Sequence, residues 1–143
     1  MQILHRLPRA YILCIEFQTG GALHARTTMG KLTTHVLDTA HGRPAAGMLI
    51  ELRRLPADKI LFSARSDADG RCGQPLLEGA SFIPGEYELI FHAADYFRAL
   101  GVALSDPPFL DQVVLRFGLA GTDQHYHVPL LVSPWSYSTY RGS

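Results

Sequence analysis

An all-β fold, an antiparallel β-sandwich of two sheets with one short helix, is what this chain predicts. Three observations carry that reading: seven or eight short strand-like runs at regular spacing, Gly and Pro turn signals between them, and a single stretch of helical character.

Taken in order, Lys31 to Leu37 favours a strand, and Ala40 to Gly47 (AHGRPAAG) supplies the turn after it. Met48 to Leu55 and Lys59 to Ser66 alternate around Pro56 and Asp58 as a hairpin, followed by the turn-forming Asp67-Ala68-Asp69-Gly70. Glu86 to His92 is introduced by Pro84-Gly85 and sets Tyr87, Leu89 and Phe91 on one face. Ala93 to Leu100 is the helical turn, ended by Gly101. Gln112 to Leu119 and Gln124 to Ser133 are two more strands, and Ser136 to Tyr140 a last short one. Pro129 and Pro134 put part of this ending at an edge or interrupt a ladder. Open sandwich edges are commonly covered by self-association, so the apolar, aromatic end segment predicts a homo-oligomer.

Composition narrows the partners. At 143 residues the chain reads as one core, and 13 basic against 13 acidic residues give no overall field for nucleic acid or an anionic membrane. A small, weakly charged ligand fits better. Cys14 and Cys72 match neither a disulfide scaffold nor a CxxC site, which points to a reducing, cytoplasmic compartment. Residues 1–28 differ from the rest: Ala10 to Phe17 is apolar but too short to span a bilayer, is interrupted by Glu16, and lacks a small-residue cleavage site. The expectation is a mobile extension, or sequence upstream of a natural start at Met29, with the periodic domain occupying 29–143.

The densest chemistry lies in the last nineteen residues, HYHVPLLVSPWSYSTYRGS, which concentrate histidines, tyrosines, hydroxyls and an arginine on a strand-like pattern. His125 and His127 are two apart, so on a strand both leave the same face. They could serve a metal if His35 supplied a third ligand, although an HxH pair alone is weak evidence and is matched by two exposed polar residues on a sheet. Arg71 follows the DADG turn, where its planar fork could hold a carboxylate or a flat, oxygen-rich heterocycle; alone it reads as a solvated arginine. In conjunction, His35, Arg71, His127 and Tyr140-Arg141-Gly142-Ser143 could furnish a base, a cation and hydroxyls without a metal. His41 and His92 read as surface residues, and Tyr96 and Phe97 as packing residues. Cys72 sits beside Arg71, which could lower its thiol pKa, but no partner histidine marks it as a nucleophile.

The opening KLTTHVLDTAHGRPAAG, the middle DADGRC and the ending HYHVPLLVSPWSYSTYRGS together resemble the 5-hydroxyisourate hydrolases, the transthyretin-related enzymes of urate breakdown. The likeness runs in order from Met29 to Ser143. It implies a transthyretin-like two-sheet sandwich, assembled as a homotetramer with active sites at the dimer-dimer interface, and needing no cofactor. Carried over residue by residue, it implies catalytic roles for His35, Arg71, His127, Tyr140 and Ser143, and substrate contacts from His35, Arg71, Tyr140, Arg141, Gly142 and Ser143. The departures are residues 1–28 and the stretch PPFLDQV from Pro107 to Val113, where relatives often carry an FFPEV-like sequence.

The reaction so implied opens the six-membered ring of 5-hydroxyisourate to a ureidoimidazoline. His35 and His127 would orient and activate water, Arg71 would stabilise the oxyanion, Ser143 would complete the pocket and Tyr140 would shape its wall. A competing reading is a transthyretin-like carrier of a hydrophobic ligand, because one fold hosts both functions. Transthyretin, however, has threonine where His127 stands and ends without YRGS. A third reading is a zinc hydrolase using the three histidines.

Overall fold

The structure, a computed structural model, describes residues 29–143. The expectation for residues 1–28 lies outside the described residues. In chain order the elements are β1 (Lys31–Thr33), β2 (Val36–Asp38), β3 (Arg43–Pro44), β4 (Leu49–Arg54), β5 (Ile60–Arg65), β6 (Leu77–Glu78), β7 (Gly85–Phe91), α1 (Ala93–Ala99), β8 (Val113–Leu119), β9 (Tyr126–His127), β10 (Leu130–Val132) and β11 (Tyr137–Thr139). A 3-10 turn, Gly79–Ser81, follows β6.

One layer is the sheet β5-β4-β7-β8, antiparallel throughout. The other is built from two shorter ladders, β6-β1-β9 and β11-β10-β2-β3. These continue one another. The expected strand Lys31 to Leu37 pauses at Thr34 and His35, and the expected strand Gln124 to Ser133 pauses at Val128 and Pro129, yet the two runs stay hydrogen-bonded across both pauses. Val128 donates its N–H to the Thr33 carbonyl at 2.9 Å and Leu130 to the His35 carbonyl at 2.9 Å. Pro129 has no N–H to give, which accounts for the gap in the ladder.

Within a sandwich whose other pairings are antiparallel as expected, the pairings of β1 with β9 and of β2 with β10 are parallel. These strands belong to opposite ends of the sequence, so no tight hairpin forces them antiparallel. Alternation survives the pause: Leu32, Thr34, Val36 and Asp38 are all buried, while Lys31, Thr33, His35 and Leu37 lie on the outward side. Tyr126, Val128, Leu130 and Val132 likewise point inward, which leaves His125 and His127 on the outward face. Burial of every second residue therefore sets the histidines and Thr33 on one surface.

The core lies between the layers, where Leu32, Val36, Leu130 and Val132 meet Ile50, Leu52, Leu89 and Phe91. Each such side chain contributes roughly 1.5–3 kcal/mol relative to an exposed one. Tyr87 stacks on Phe117 with ring centroids 6.2 Å apart, and Tyr87, Leu89 and Phe91 face inward as their spacing predicts. On the other side of β7, Glu88 is buried between two arginines. Its Oε2 receives Arg53 Nε at 2.6 Å and its Oε1 receives Arg116 Nη2 at 2.7 Å. Those bonds hold its carboxyl below the usual range, the Arg116 bond contributing most and the Arg53 bond next.

Helix α1 ends as the sequence predicts. Gly101 adopts a φ of +79°, its N–H reaches the Arg98 carbonyl and that of Val102 the Phe97 carbonyl, which is a Schellman cap. Tyr96 and Phe97 are packed in the core. The Tyr96 hydroxyl donates to buried Asp38 at 2.9 Å, and His41 Nδ1 approaches the same carboxylate at 2.6 Å. No helix among the described residues is long and apolar enough to cross a membrane.

Candidate active site

The outward face of β1 and β9 opens into a cleft of about 460 Å3 lined by Lys31, Thr33, Arg71, His125, His127 and Ser143. Four stretches far apart in sequence meet there, and each is fixed by local chemistry.

His127 is held from two sides. In the parallel pairing it stands opposite Thr33, whose Oγ1 lies 2.9 Å from His127 Nδ1. Its own backbone exchanges hydrogen bonds with Gly142, N–H to the Gly142 carbonyl at 3.1 Å and carbonyl from the Gly142 N–H at 2.8 Å. This bridge brings Ser143 to the cleft. Burial, then the charge of Arg71, then His35, hold the His127 imidazole below its usual pKa, so the ring is neutral at physiological pH.

Arg71 is delivered by the DADG turn. Asp67 Oδ1 accepts the Asp69 and Arg71 N–H groups at 2.9 and 3.0 Å, and Asp67 N–H bonds the Arg71 carbonyl at 2.7 Å. Gly70 makes the turn possible with a φ of +77°, and a Cβ there would stand 2.3 Å from the Val36 carbonyl and 3.3 Å from His35 Cδ2. The turn thus rests on the pause between β1 and β2, with the Gly70 carbonyl accepting the Val36 N–H at 2.8 Å. That contact seats His35, half-buried, beside the arginine loop.

The predicted residues divide. Arg71, His127 and Ser143 line the cleft itself, and His35 is near enough to influence His127. Tyr140 and Arg141 instead line a neighbouring groove of about 570 Å3 beside β8. Arg141 lies over the Tyr126 ring at 4.5 Å and bonds Gln124 Oε1 at 2.9 Å, pinning the end segment to the turn before β9. Among the described residues no group of three His, Cys, Asp or Glu side chains is arranged to hold a metal ion. His35, His125 and His127 share a face without forming such a cluster. The Cys72 thiol is pushed up to about 11 by burial and by Asp67, against the lowering expected from Arg71.

Sequence reasoning did not single out Thr33 or Lys31. The signal was present: Lys31, Thr33 and His35 alternate along one run, so any face bearing His35 also bears the other two.

The arrangement is a polar cleft with a neutral imidazole, a guanidinium carried on a hydrogen-bonded turn and a hydroxyl, set on the face of a transthyretin-type β-sandwich, and it defines a member of that structural class. A family model described as the HIUase/Transthyretin family matches residues 32–142, and the chain belongs to that family. It is 60% identical over 117 residues to a 5-hydroxyisourate hydrolase of Pseudomonas aeruginosa, covering 80% of this chain and 93% of that protein. Among solved structures it is similar to the 5-hydroxyisourate hydrolase of Klebsiella pneumoniae, with a TM-score of 0.69 and 30% identity over 80% of this chain and all of the other. It also resembles (S)-allantoin synthase, with a TM-score of 0.77 and 49% identity over 81% of this chain, which spans 44% of that longer chain.

Proposed function

We propose that this chain is an enzyme that hydrolyses 5-hydroxyisourate, using the cleft between β1, β9, the Arg71 loop and Ser143. The observation that carries the reading is the meeting of Arg71, neutral His127 and Ser143 in one cleft, in a chain 60% identical to a protein of that name.

Water attacks a ring carbonyl carbon, a C–O bond forms, and the ring C–N bond breaks. The proton leaving the water passes to an imidazole and on to the departing nitrogen, so the histidines end as they began. His127 and His35 orient and activate the water. Arg71 faces the oxygen on which charge develops; a preorganised donor of this kind is worth about a hundred- to a thousand-fold in rate. Ser143 closes the pocket, Gly142 and Arg141 hold it there through the bridge to His127 and the stack on Tyr126, and Tyr140 shapes the wall of the neighbouring groove.

The assembly that completes such a site is a homotetramer. Strands β8 and β11 end their sheets with open edges, and Tyr137, Tyr140, Trp135 and Val114 are exposed there, which supports self-association. Free Cys72 suits a reducing cytoplasm. The carrier alternative needs an apolar channel, whereas the outward face of β1 and β9 carries Lys31, His35, His125 and His127.

The test is the ultraviolet decay of 5-hydroxyisourate, generated in situ from urate by urate oxidase, with and without the folded protein and after chelator treatment. Acceleration that survives chelation supports the reading. No acceleration by folded protein moves the carrier to the front, and acceleration abolished by the chelator favours a zinc hydrolase.

A further inference from the structure

Thr33 stands apart from every other cleft residue because its side chain bonds the imidazole that faces the cleft. Its Oγ1 is 2.9 Å from His127 Nδ1, on the rung where Thr33 and His127 pair directly. The backbones leave little slack. Thr33 accepts the Val128 N–H at 2.9 Å, and His127 is bridged to Gly142 at 3.1 and 2.8 Å. Thr33 is β-branched and on a strand, so its rotamer is restricted. The other ring nitrogen, Nε2, has no hydrogen-bond partner among the described residues, which leaves it for the cleft.

A threonine hydroxyl can donate to a ring nitrogen or accept from it, and the choice decides which nitrogen carries the proton. If Thr33 donated, the neutral ring would carry its hydrogen on Nε2 and offer the cleft another donor. The cleft already has donors in Lys31 and Arg71, and a water-derived proton needs an acceptor. Arg71 lines the same cleft and its charge acts on the ring, so a lone pair on the cleft side is favoured over an N–H. We propose that Thr33 is a positioning residue for His127, accepting a hydrogen bond from Nδ1–H so that an unprotonated Nε2 faces the cleft. The inference rests on the hydrolase reading of the cleft and deepens it: His127, held by Thr33, is the group that takes the water's proton. Thr33 is then left with its own hydroxyl hydrogen to give to the cleft.

The test compares the wild-type protein with T33V and T33S. Valine keeps the β-branched shape and strand preference while removing the hydroxyl; serine keeps the hydroxyl. Nitrogen-15 NMR of the His127 ring at neutral pH is expected to show a protonated Nδ1 and an unprotonated Nε2 in the wild type and in T33S, and to lose that pattern in T33V. Turnover of 5-hydroxyisourate by T33V is expected to fall roughly ten- to a hundredfold, the size of loss seen when partners that orient metal-bound histidines are removed. KM should stay nearly constant, and T33S should restore most of kcat. A wild-type ring protonated on Nε2, or a T33V protein with unchanged tautomer and kcat, would overturn the proposal. The predicted tautomer in a protein that hydrolyses nothing would overturn the hydrolase reading while leaving the positioning by Thr33 intact.

Discussion

Gly142 and His127 exchange both of their backbone hydrogen bonds, at 2.8 and 3.1 Å, so the end segment of the chain and the cleft histidine hold each other in place. The bridge is closely packed at 142. A Cβ there would stand 3.2 Å from His127 Cβ and 3.4 Å from its Cδ2, tighter than a relaxed contact.

Replacing Gly142 by Ala is therefore expected to push the imidazole or the tail aside without unfolding the sandwich. The relief such contacts need is small against the 1 Å misplacement that costs about a hundredfold, so a G142A protein should lose roughly three- to tenfold in kcat. Turnover measured beside thermal unfolding checks this, and a fully active G142A enzyme would show that the bridge does not position His127.

Gly70 carries the converse expectation, a loss of stability. Alanine at a φ of +77° is strained by roughly 1–3 kcal/mol, and its Cβ would overlap the Val36 carbonyl at 2.3 Å. Denaturant titration of G70A should show at least that loss, and a midpoint equal to the wild type would contradict the placement of the turn against the pause between β1 and β2.

Much of this was legible in the sequence, and the losses were specific. The alternation of Tyr87, Leu89 and Phe91, the hairpin around Pro56, and Gly101 as a helix stop are local signals, and each reappears in the structure. The parallel pairing of β1 with β9 is non-local, and nothing in the composition of either strand announces its partner. The same reason hid Thr33: its importance comes from standing opposite His127 across 94 residues of chain. The lowering that Arg71 could have given the Cys72 thiol does not appear, because burial and Asp67 dominate it.

Stability should decline in acid for a stated reason. Glu88 is held low by Arg116 and Arg53. Asp38 is held low on balance: its burial acts upward, but hydrogen bonds from His41 and Tyr96 outweigh it. A carboxylate lowered in the native state contributes stability that is complete above its unfolded value of about 4 and is lost as pH falls through the native value. Urea midpoints should thus hold steady from neutrality down to about pH 4.5 on account of these groups and drop below it, with a shallower drop in E88Q. An equal acid slope in E88Q would remove Glu88 from the explanation.

The acid limb of catalysis is expected to follow His127. Its imidazole is lowered by burial first and Arg71 second, so activity should persist below the ordinary imidazole value of roughly 6.5 and fall only as pH drops through the lowered one. Replacing Arg71 by Gln should move that limb upward and reduce kcat by about a hundred- to a thousand-fold. An R71Q limb at the wild-type position would separate the arginine from the histidine.

The central claim is that the cleft built around His127 performs the hydrolysis. The most direct measurement is the decay of freshly made 5-hydroxyisourate under matched amounts of wild-type protein and H127N, with assembly compared by light scattering. The account predicts strong acceleration by the wild type and a loss of roughly a hundred- to ten-thousand-fold in H127N, with the assembly unchanged. Near-normal turnover by intact H127N would contradict it.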